Sequence, residues 1–357
     1  MEINLQKNSV DFDSLIKNYE KYNEITLKPA LNLTKLPKEK REGNVGISTK
    51  ESGRVWHITP QGKVLFKAPA GKMTGVEESE IRKLNEVVAY QLARLAGLNC
   101  AKYATAKSGK DMGVASYNFL KENETLINFA EFCKDNEIQK EEADYYHITK
   151  ALENGAYAGC KFDIKKLKRQ MYEQLVFDTL LLQTDRNLSN ISFVLNEETM
   201  QLNMAPIHDN EFAFMTNCLY YAKYYDEQEN PGVKGYVNSC YLGVLGARPF
   251  LYDTMQTYGT ELPFIDNVQS IVKCARDSEK LKESLLKIIK YCTPDNLNKI
   301  YNAFENAGNK INEDYKNYTI SLLKYTSSEF KREMLSENIV NANSSTANNN
   351  AQDELFL

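Results

Sequence analysis

The sequence predicts an α+β fold with two lobes, in which a strand-rich first lobe with one long helix precedes a mainly helical second lobe. Three observations support this prediction. Residues that favour strands dominate the segment after Gly43, one long amphipathic helix pattern follows them, and helical periodicity prevails from Thr125 onward. A chain of 357 residues is also long enough to bury the cores of two lobes that share a cleft.

The first lobe is predicted to contain a hairpin and then the long helix. Residues 54–58 and 63–67 are rich in strand formers and flank the turn sequence Thr59-Pro-Gln-Gly62. Apolar residues then recur at three- and four-residue intervals through residues 78–97, and Gly97 stands where a helix C-cap is expected. The long helix is therefore the next element after the hairpin.

Shorter patterns lead into the second lobe. Strands are expected near residues 101–106 and 113–119, and the polar stretch 121–124 is typical of a linker. The strongest helix pattern covers residues 163–184, which are apolar on several sides, as in a helix buried inside a lobe. A second hairpin is predicted within residues 191–205.

The rest of the chain differs in composition. Residues 215–262 contain eight tyrosines without a clean period and predict an irregular insertion, and four further helix patterns extend to about residue 337. The remaining segment is rich in Asn, Ser, Thr and Ala and cannot bury much apolar area. The predicted division is an N-terminal extension at residues 1–40, a first lobe at 41–120, a second lobe at 121–337 and a disordered tail at 338–357.

Composition and charge exclude several classes of function. The formal net charge is -4, which gives no overall attraction to polyanions, so no nucleic-acid partner is expected. Seven cysteines are scattered without a CxxC pair, so neither a zinc site nor a disulfide framework is expected. The sequence shows no signal peptide and no membrane span, and we expect a cytoplasmic protein or one delivered by other machinery.

Three polar residues follow the strongest helix pattern and flank the second hairpin. Asp185 and Asn190 lie in the string Thr184-Asp-Arg-Asn-Leu-Ser-Asn190, and Asp209 ends the string Ala205-Pro-Ile-His-Asp209. A carboxylate, a carboxamide and a second carboxylate brought together by a hairpin form a plausible site for magnesium and phosphate. The alternative is that Asp185 and Asn190 only cap the backbone of a turn.

The first lobe offers a complementary set of residues. Lys67 ends an apolar strand, where its ammonium could reach phosphate groups, and Glu86 on the long helix could orient it. The alternative is that Lys67 is only a solvated residue at the end of an edge strand. Glu86 would then be an ordinary residue of the helix surface, because its role depends on that of Lys67. The polar loop 46–53 could cover phosphates with its backbone amides. Its candidate nucleotide-binding residues are Ser48, Thr49, Ser52 and Gly53.

This order of loop, lysine, glutamate, Asp-Arg-x-x-x-Asn and Ala-Pro-x-x-Asp resembles the HipA-like kinase family. The resemblance covers roughly residues 45–335 and is strongest at residues 173–212. It is greatest to small members whose catalytic loop reads Asp-Arg, a feature shared with phosphoinositide-type kinases. The resemblance implies a protein-kinase-like fold, with ATP and Mg²⁺ as cofactors. It assigns Asp185 as the catalytic aspartate, Asn190 and Asp209 as magnesium ligands, Lys67 as the ATP lysine and Glu86 as its partner.

The sequence also departs from other kinase patterns. It has no Gly-x-Gly-x-x-Gly, and Asp209 is followed by Asn210-Glu211 in place of Phe-Gly. Asn187 stands where relatives often have histidine. These features argue against an ordinary eukaryotic-type kinase and are tolerated in the HipA-like pattern.

The resemblance implies a kinase acting on serine or threonine of a protein substrate, with autophosphorylation in the loop over the phosphates. A regulator or antitoxin is a possible partner, and toxicity to a cell is implied by resemblance only. A lipid or small-molecule kinase of the same fold is an alternative, and a nucleotide-binding pseudokinase that acts through a partner is another. The chain shows no basic cluster or amphipathic helix typical of membrane binding, which weakens the lipid alternative.

Two neighbours of the candidate site have open interpretations. Arg186 could bind phosphate or form an ion pair that holds the loop, and we lean towards the ion pair. His208 could act as a base, but a histidine at a strand end is more often a hydrogen-bonded structural residue.

Overall fold

The computed structural model of the protein describes residues 25, 27–38, 54–60, 62–68, 76–139, 145–218, 237 and 264–337. Several predictions concern residues outside these ranges. They are the phosphate-loop candidates Ser48, Thr49, Ser52 and Gly53, most of the tyrosine-rich insertion, and the tail at 338–357.

Strands dominate the first part of the described chain and helices the later part. The strands are β1 (Leu31–Asn32), β2 (Arg54–Thr59), β3 (Gly62–Lys67), β4 (Tyr103–Ser108), β5 (Asp111–Tyr117), β6 (Glu124–Asn128), β7 (Ser192–Asn196) and β8 (Gln201–Met204). The helices are α1 (Val76–Leu95), α2 (Phe129–Asp135), α3 (Tyr145–Glu153), α4 (Ile164–Leu180), α5 (Phe264–Arg276), α6 (Glu279–Tyr291), α7 (Pro294–Asn306) and α8 (Glu313–Ser336). Helix α1 lies between β3 and β4, and β7 and β8 follow α4. No helix within the described residues has the length and apolar character needed to cross a membrane.

A five-stranded sheet forms the N-lobe, in the order β1-β4-β5-β3-β2. The predicted hairpin is present as β2 and β3, which pair antiparallel. Because side chains alternate along a strand, Lys67 shares a face with Leu65, while Val64 and Phe66 point to the other face. Lys67 therefore lies on the opposite face of the sheet from Val64 and Phe66. The face that carries Val64 and Phe66 is called the outer face.

The outer face of the sheet is covered by a segment from the predicted N-terminal extension. Strand β1 pairs parallel with β4, and the amide of Leu33 donates a 2.7 Å hydrogen bond to the carbonyl of Lys107. Leu33 is fully buried in a small apolar cluster with Val64 and Phe66. Residues 31–38 therefore complete the sheet of the N-lobe.

Helix α1 belongs to the central core of the protein as much as to the N-lobe. Its buried residues Leu84, Val88 and Leu92 share one apolar cluster with buried residues of α4 and of α5 to α8. The helix ends at Leu95, and Gly97 follows with φ +62°, the left-handed conformation expected after a helix C-terminus. The predicted helix at 78–97 is confirmed, with both ends two residues earlier in the chain.

The C-lobe surrounds α4, which is confirmed as a buried helix but ends at Leu180, before the predicted end at residue 184. The second hairpin is confirmed as β7 and β8. The expectation of helix from Thr125 onward is wrong at its start, because β6 pairs antiparallel with β7 there. Asn128 ends that strand and forms a capping box with Glu131, which starts α2. The predicted α+β fold with two lobes is confirmed.

Candidate active site

A buried lysine–glutamate pair lies between β3 and α1. Nζ of Lys67, the last residue of β3, lies 2.5 Å from Oε1 of Glu86. The two side chains are 12% and 1% exposed, so solvent screens their attraction only weakly. Gly113 allows β5 to approach β3 closely at Lys67, because a Cβ at that position would lie 2.4 Å from the backbone oxygen of Lys67.

Lys67 also contacts Asp209, which follows the second hairpin. The distance from Nζ to Oδ1 of Asp209 is 2.8 Å. Burial alone would lower the pKa of Lys67, but the charges of Asp209 and Glu86 outweigh burial and raise that pKa well above its ordinary value. The ammonium donates to these two carboxylates, and its third N–H has no acceptor among the described residues.

The backbone at Asp209 is left-handed, with φ 58°, a conformation that is costly for residues other than glycine, asparagine and aspartate. Side chains from β4, from α1 and from the loop after α4 hold it there. Its N–H donates to the Tyr103 hydroxyl at 3.1 Å, and its carbonyl accepts from Nε2 of Gln183 at 3.2 Å. The next N–H, of Asn210, donates to Oε2 of Glu86 at 2.8 Å. Asp209 is thus fixed relative to α1.

The carboxylate of Asp185 is held by two asparagines. Nδ2 of Asn187 donates to Oδ1 at 3.0 Å, and Nδ2 of Asn190 donates to Oδ2 at 3.3 Å. Asn187 also caps a short 3-10 turn, because its Oδ1 accepts from the N–H of Ser189 at 2.9 Å. The amide oxygen of Asn190 accepts no hydrogen bond from the described residues, which leaves it available as an oxygen ligand.

Gln183 connects the two carboxylate-bearing residues. Its Oε1 accepts from the N–H of Asp185 at 3.2 Å, and its Nε2 donates to the carbonyl of Asp209 at 3.2 Å. Burial raises the pKa of Asp185, the hydrogen bond from Asn187 opposes that shift, and the charge of Asp209 adds to it, so the pKa lies above the ordinary 3.8. Five predicted site residues lie within the described ranges, and the structure brings all of them into one site. They are Lys67, Glu86, Asp185, Asn190 and Asp209.

Arg186 is fully buried and uses every N–H within the protein. Nε and Nη2 donate to the two carboxylate oxygens of Asp178, each at 2.9 Å. Nη2 also donates to Oδ1 of Asn210 at 2.7 Å, and Nη1 donates to the carbonyls of Asn190 at 3.2 Å and of His208. Because an arginine has five N–H groups, none is left for a phosphate. Its role is structural, as an ion pair that holds the loop.

His208 is also held by the protein. Its Nδ1 lies 2.9 Å from the carbonyl of Pro206, and its ring lies 5.8 Å, centroid to centroid, from that of Phe119. Burial lowers the pKa of His208, although the hydrogen bond to Pro206 opposes the shift. The structural interpretation of His208 agrees with these contacts.

Sequence reasoning did not single out Gln183 or Tyr103. Gln183 carries a signal that could have found it, since a polar residue at the end of an apolar helix pattern needs a buried partner. Tyr103 carries no such signal, because its bond to Asp209 joins residues 106 positions apart.

The fold and the site together define a two-lobed, protein-kinase-like protein. A strand-rich lobe supplies Lys67 and α1 supplies Glu86, and the helical lobe supplies Asp185, Asn190 and Asp209 from a loop and a hairpin. This arrangement agrees with the general layout of kinases, in which a strand lysine pairs with a helix glutamate.

Two solved structures are similar to this chain. The chain is similar to the crystal structure of a proinflammatory kinase from Helicobacter pylori, CtkA, with a TM-score of 0.64 and 16% identity, over 87% of this chain and 98% of that one. It is also similar to HipA in the Shewanella oneidensis MR-1 toxin–antitoxin complex with HipB and operator DNA, with a TM-score of 0.42 and 12% identity, over 76% of this chain and 57% of that one. The predicted resemblance to HipA-like kinases is confirmed at the level of fold. By sequence, no protein-family model and no curated protein matches the chain.

Proposed function

We propose that this protein is a kinase that uses ATP and Mg²⁺ to phosphorylate serine or threonine of a protein, including its own chain. The observation that carries the proposal is the bonding of Lys67. Its ammonium is fixed by Glu86 and Asp209, yet one N–H has no acceptor among the described residues. A cation held in this way is suited to bind phosphate oxygens of a nucleotide.

The available donors suit Mg²⁺. This ion prefers oxygen ligands and is commonly bound by one or two carboxylates together with substrate phosphates. Asp209 and the amide oxygen of Asn190 are such donors. Among the described residues, no group of three or more His, Cys, Asp or Glu could hold a metal ion, so phosphate oxygens would complete the coordination. When bound, Mg²⁺ neutralises charge on the phosphates.

The residues around Asp185 suggest how the acceptor reacts. The acceptor hydroxyl oxygen forms a bond to the terminal phosphorus, and the bond from that phosphorus to the bridging oxygen of ADP breaks. The hydroxyl proton passes to the carboxylate of Asp185, which lies in the loop after α4 beside Asn190. Asn187 and Asn190 hold its carboxylate in one orientation while the proton moves.

The partner and the acceptor of the protein are implied only by the resemblance to HipA-like kinases. A regulator or antitoxin partner and a cytoplasmic location stay predictions. A lipid or small-molecule acceptor uses the same nucleotide site, so the acceptor must be identified by experiment. A nucleotide-binding protein without transfer activity would also use Lys67 and Asp209.

The test is the intact mass of the purified protein after incubation with Mg-ATP. Asp209→Asn is the informative variant, because asparagine accepts left-handed backbone and removes only the charge. Asp277→Asn is the matched control, because Asp277 is an exposed residue paired with Arg276 outside the site. We expect the wild type and the control to gain phosphate and Asp209→Asn to gain none. Peptide mapping then shows whether Ser48, Thr49 or Ser52 is modified.

Turnover assays separate the alternatives if the mass does not change. Transfer from ATP to an added protein would keep the proposal, and transfer only to a lipid headgroup or small molecule would replace its acceptor. ATP binding without transfer to any acceptor would refute the kinase proposal and favour a nucleotide-binding protein.

A further inference from the structure

Asn85, the residue before Glu86 in α1, is bonded to the segment that follows Asp209. Its side chain is fully buried. Nδ2 donates to the carbonyl of Glu211 at 3.0 Å and to the carbonyl of Ala213 at 2.9 Å. Both hydrogens of the amide are therefore used on a stretch of chain 126 to 128 residues away.

Tyr315 fixes the orientation of that amide. It lies in the first turn of α8 and is 4% exposed, and its hydroxyl donates to Oδ1 of Asn85. With its oxygen and both its hydrogens bonded, the Asn85 amide cannot rotate without losing contacts. Tyr318, one turn further along α8, donates to the carbonyl of Phe214 at 3.3 Å and so ties the same helix to the same segment.

Two successive residues of α1 thus hold one short segment. Glu86 accepts from the N–H of Asn210, and Asn85 donates to the carbonyls of residues 211 and 213. The segment begins directly after Asp209, so its position sets where the carboxylate of Asp209 lies relative to Lys67. We propose that Asn85, oriented by Tyr315, is a positioning residue that fixes the Asp209 segment to α1. The role rests on the proposed function, in which Asp209 is a metal ligand.

The packing of α1 makes this contact a fixed part of the site. Leu84 and Val88, on either side of Asn85 along α1, lie in the central apolar core. Near the end of α1, the carbonyl of Leu92 lies 3.9 Å from Sγ of Cys292, which follows α6. Because α1 is packed against the C-lobe at both points, the fold itself fixes the position of Glu86 beside Lys67. Helix α8 takes part in the site through Tyr315.

The test removes one hydroxyl and keeps the ring. Tyr315→Phe deletes the donor to Asn85, and Tyr301→Phe is a matched control. Tyr301 is fully buried in α7, and its hydroxyl lies 2.6 Å from Oγ1 of Thr319 in α8. Both variants lose one buried hydroxyl bond to or from α8, so a general loss of stability affects both.

Two measurements are compared across wild type and both variants. The first is hydrogen exchange of the 209–215 backbone in ligand-free protein, which does not depend on enzymatic activity. The second is the Mg²⁺ concentration that half-saturates ATP binding. We expect Tyr315→Phe to speed exchange in this segment and to raise the half-saturating Mg²⁺ concentration several-fold, while Tyr301→Phe changes neither.

Unchanged exchange in Tyr315→Phe would overturn the proposal. Faster exchange with an unchanged Mg²⁺ requirement would also overturn it, because the contact would then be structural only. If the wild type binds no Mg-ATP, the proposed function itself fails, and the exchange data alone decide whether Tyr315 and Asn85 fix the segment.

Discussion

Lys67 and Arg186 are two buried cations in neighbouring parts of the molecule, and they differ in how completely the protein bonds them. Arg186 donates all five of its N–H groups to Asp178, Asn210 and two carbonyls. Lys67 donates two of its three to Glu86 and Asp209. Both are paired with carboxylates, so charge does not distinguish them, and their side-chain exposures of 12% and 0% differ little. They differ in the third N–H of Lys67, which has no acceptor among the described residues and can therefore bind a substrate.

The largest effect is expected when Arg186, the cation whose N–H groups are all bonded, is replaced. Arg186→Met would leave Asp178, which is 2% exposed, as a buried carboxylate without its partner. We expect the free energy of unfolding to fall by about 3–5 kcal/mol, measured by urea denaturation. Arg169→Met is the control, because Arg169 is 43% exposed and 3.8 Å from Glu173, and a surface pair contributes less than about 1 kcal/mol. Equal losses in the two variants would contradict the structural role of Arg186.

The next effect comes from removing the incompletely bonded cation. Lys67→Met should lower kcat by about 10²–10³-fold, the magnitude known for loss of one donor to a transition state. Stability should fall less than in Arg186→Met, because Glu86 keeps the N–H of Asn210 and Asp209 is 19% exposed. Phosphate transfer and urea denaturation are measured on the same sample.

Lys168→Met serves as the control for Lys67→Met. Lys168 forms a 2.7 Å ion pair with Glu153 outside the site, so kcat should not change. Two outcomes would contradict a functional role for Lys67 and a structural role for Arg186. In the first, Lys67→Met keeps its activity; in the second, it destabilises the protein more than Arg186→Met does.

A smaller effect is expected from the asparagine that holds Asp185. Asn187→Ala removes the hydrogen bond to Oδ1 of Asp185 and the cap of the 3-10 turn. We expect kcat to fall about tenfold, which corresponds to about 1.4 kcal/mol in the barrier, with the KM for ATP unchanged. Asn196→Ala is the control, because Asn196 caps the β7–β8 turn through a 2.8 Å bond from the N–H of Thr199. A rise in KM alone would show that Asn187 serves ATP binding and not the orientation of Asp185.

The smallest effect is expected from His57, a buried basic residue with no carboxylate partner among the residues that the structure describes. It is fully buried, with Nε2 3.5 Å from the Ser108 hydroxyl, and burial lowers its pKa below 6.5 despite an opposing backbone hydrogen bond. The folded protein then binds fewer protons than the unfolded chain, so stability is full above 6.5 and declines as the pH falls below it. Thermal melts across this range should show a steeper decline for wild type than for His57→Gln. Parallel curves would contradict the prediction.

The sequence was sufficient for features that depend on residue type and local pattern. Lys67 ends an apolar strand pattern, Asp185 follows a long buried helix, and Asp209 follows a hairpin, so each has a local signal. The structure brings them together with Glu86 and Asn190, and the catalytic and metal-binding roles stay predictions. The fold class followed from the same patterns.

Features that depend on distant contacts could not be predicted. Strand β6 is short and is stabilised by β7, so its pairing leaves no periodic signal near residue 125. Likewise, Tyr315 bonds to Asn85 across 230 positions of the chain. The sequence also could not decide whether Arg186 binds phosphate or forms a structural ion pair. The hydrogen bonds of its five N–H groups decide this, and they are visible only in the structure.

The small cluster on the outer face of the N-lobe sheet has a practical consequence for expression. A truncated protein that starts at residue 41, the predicted lobe boundary, would lack Leu33 and the strand that pairs with β4. Val64 and Phe66 would then face water, and the edge of β4 would be open to pairing with another molecule. Aggregation of such a fragment would result from the exposed sheet. It would not show whether the intact chain is catalytically active.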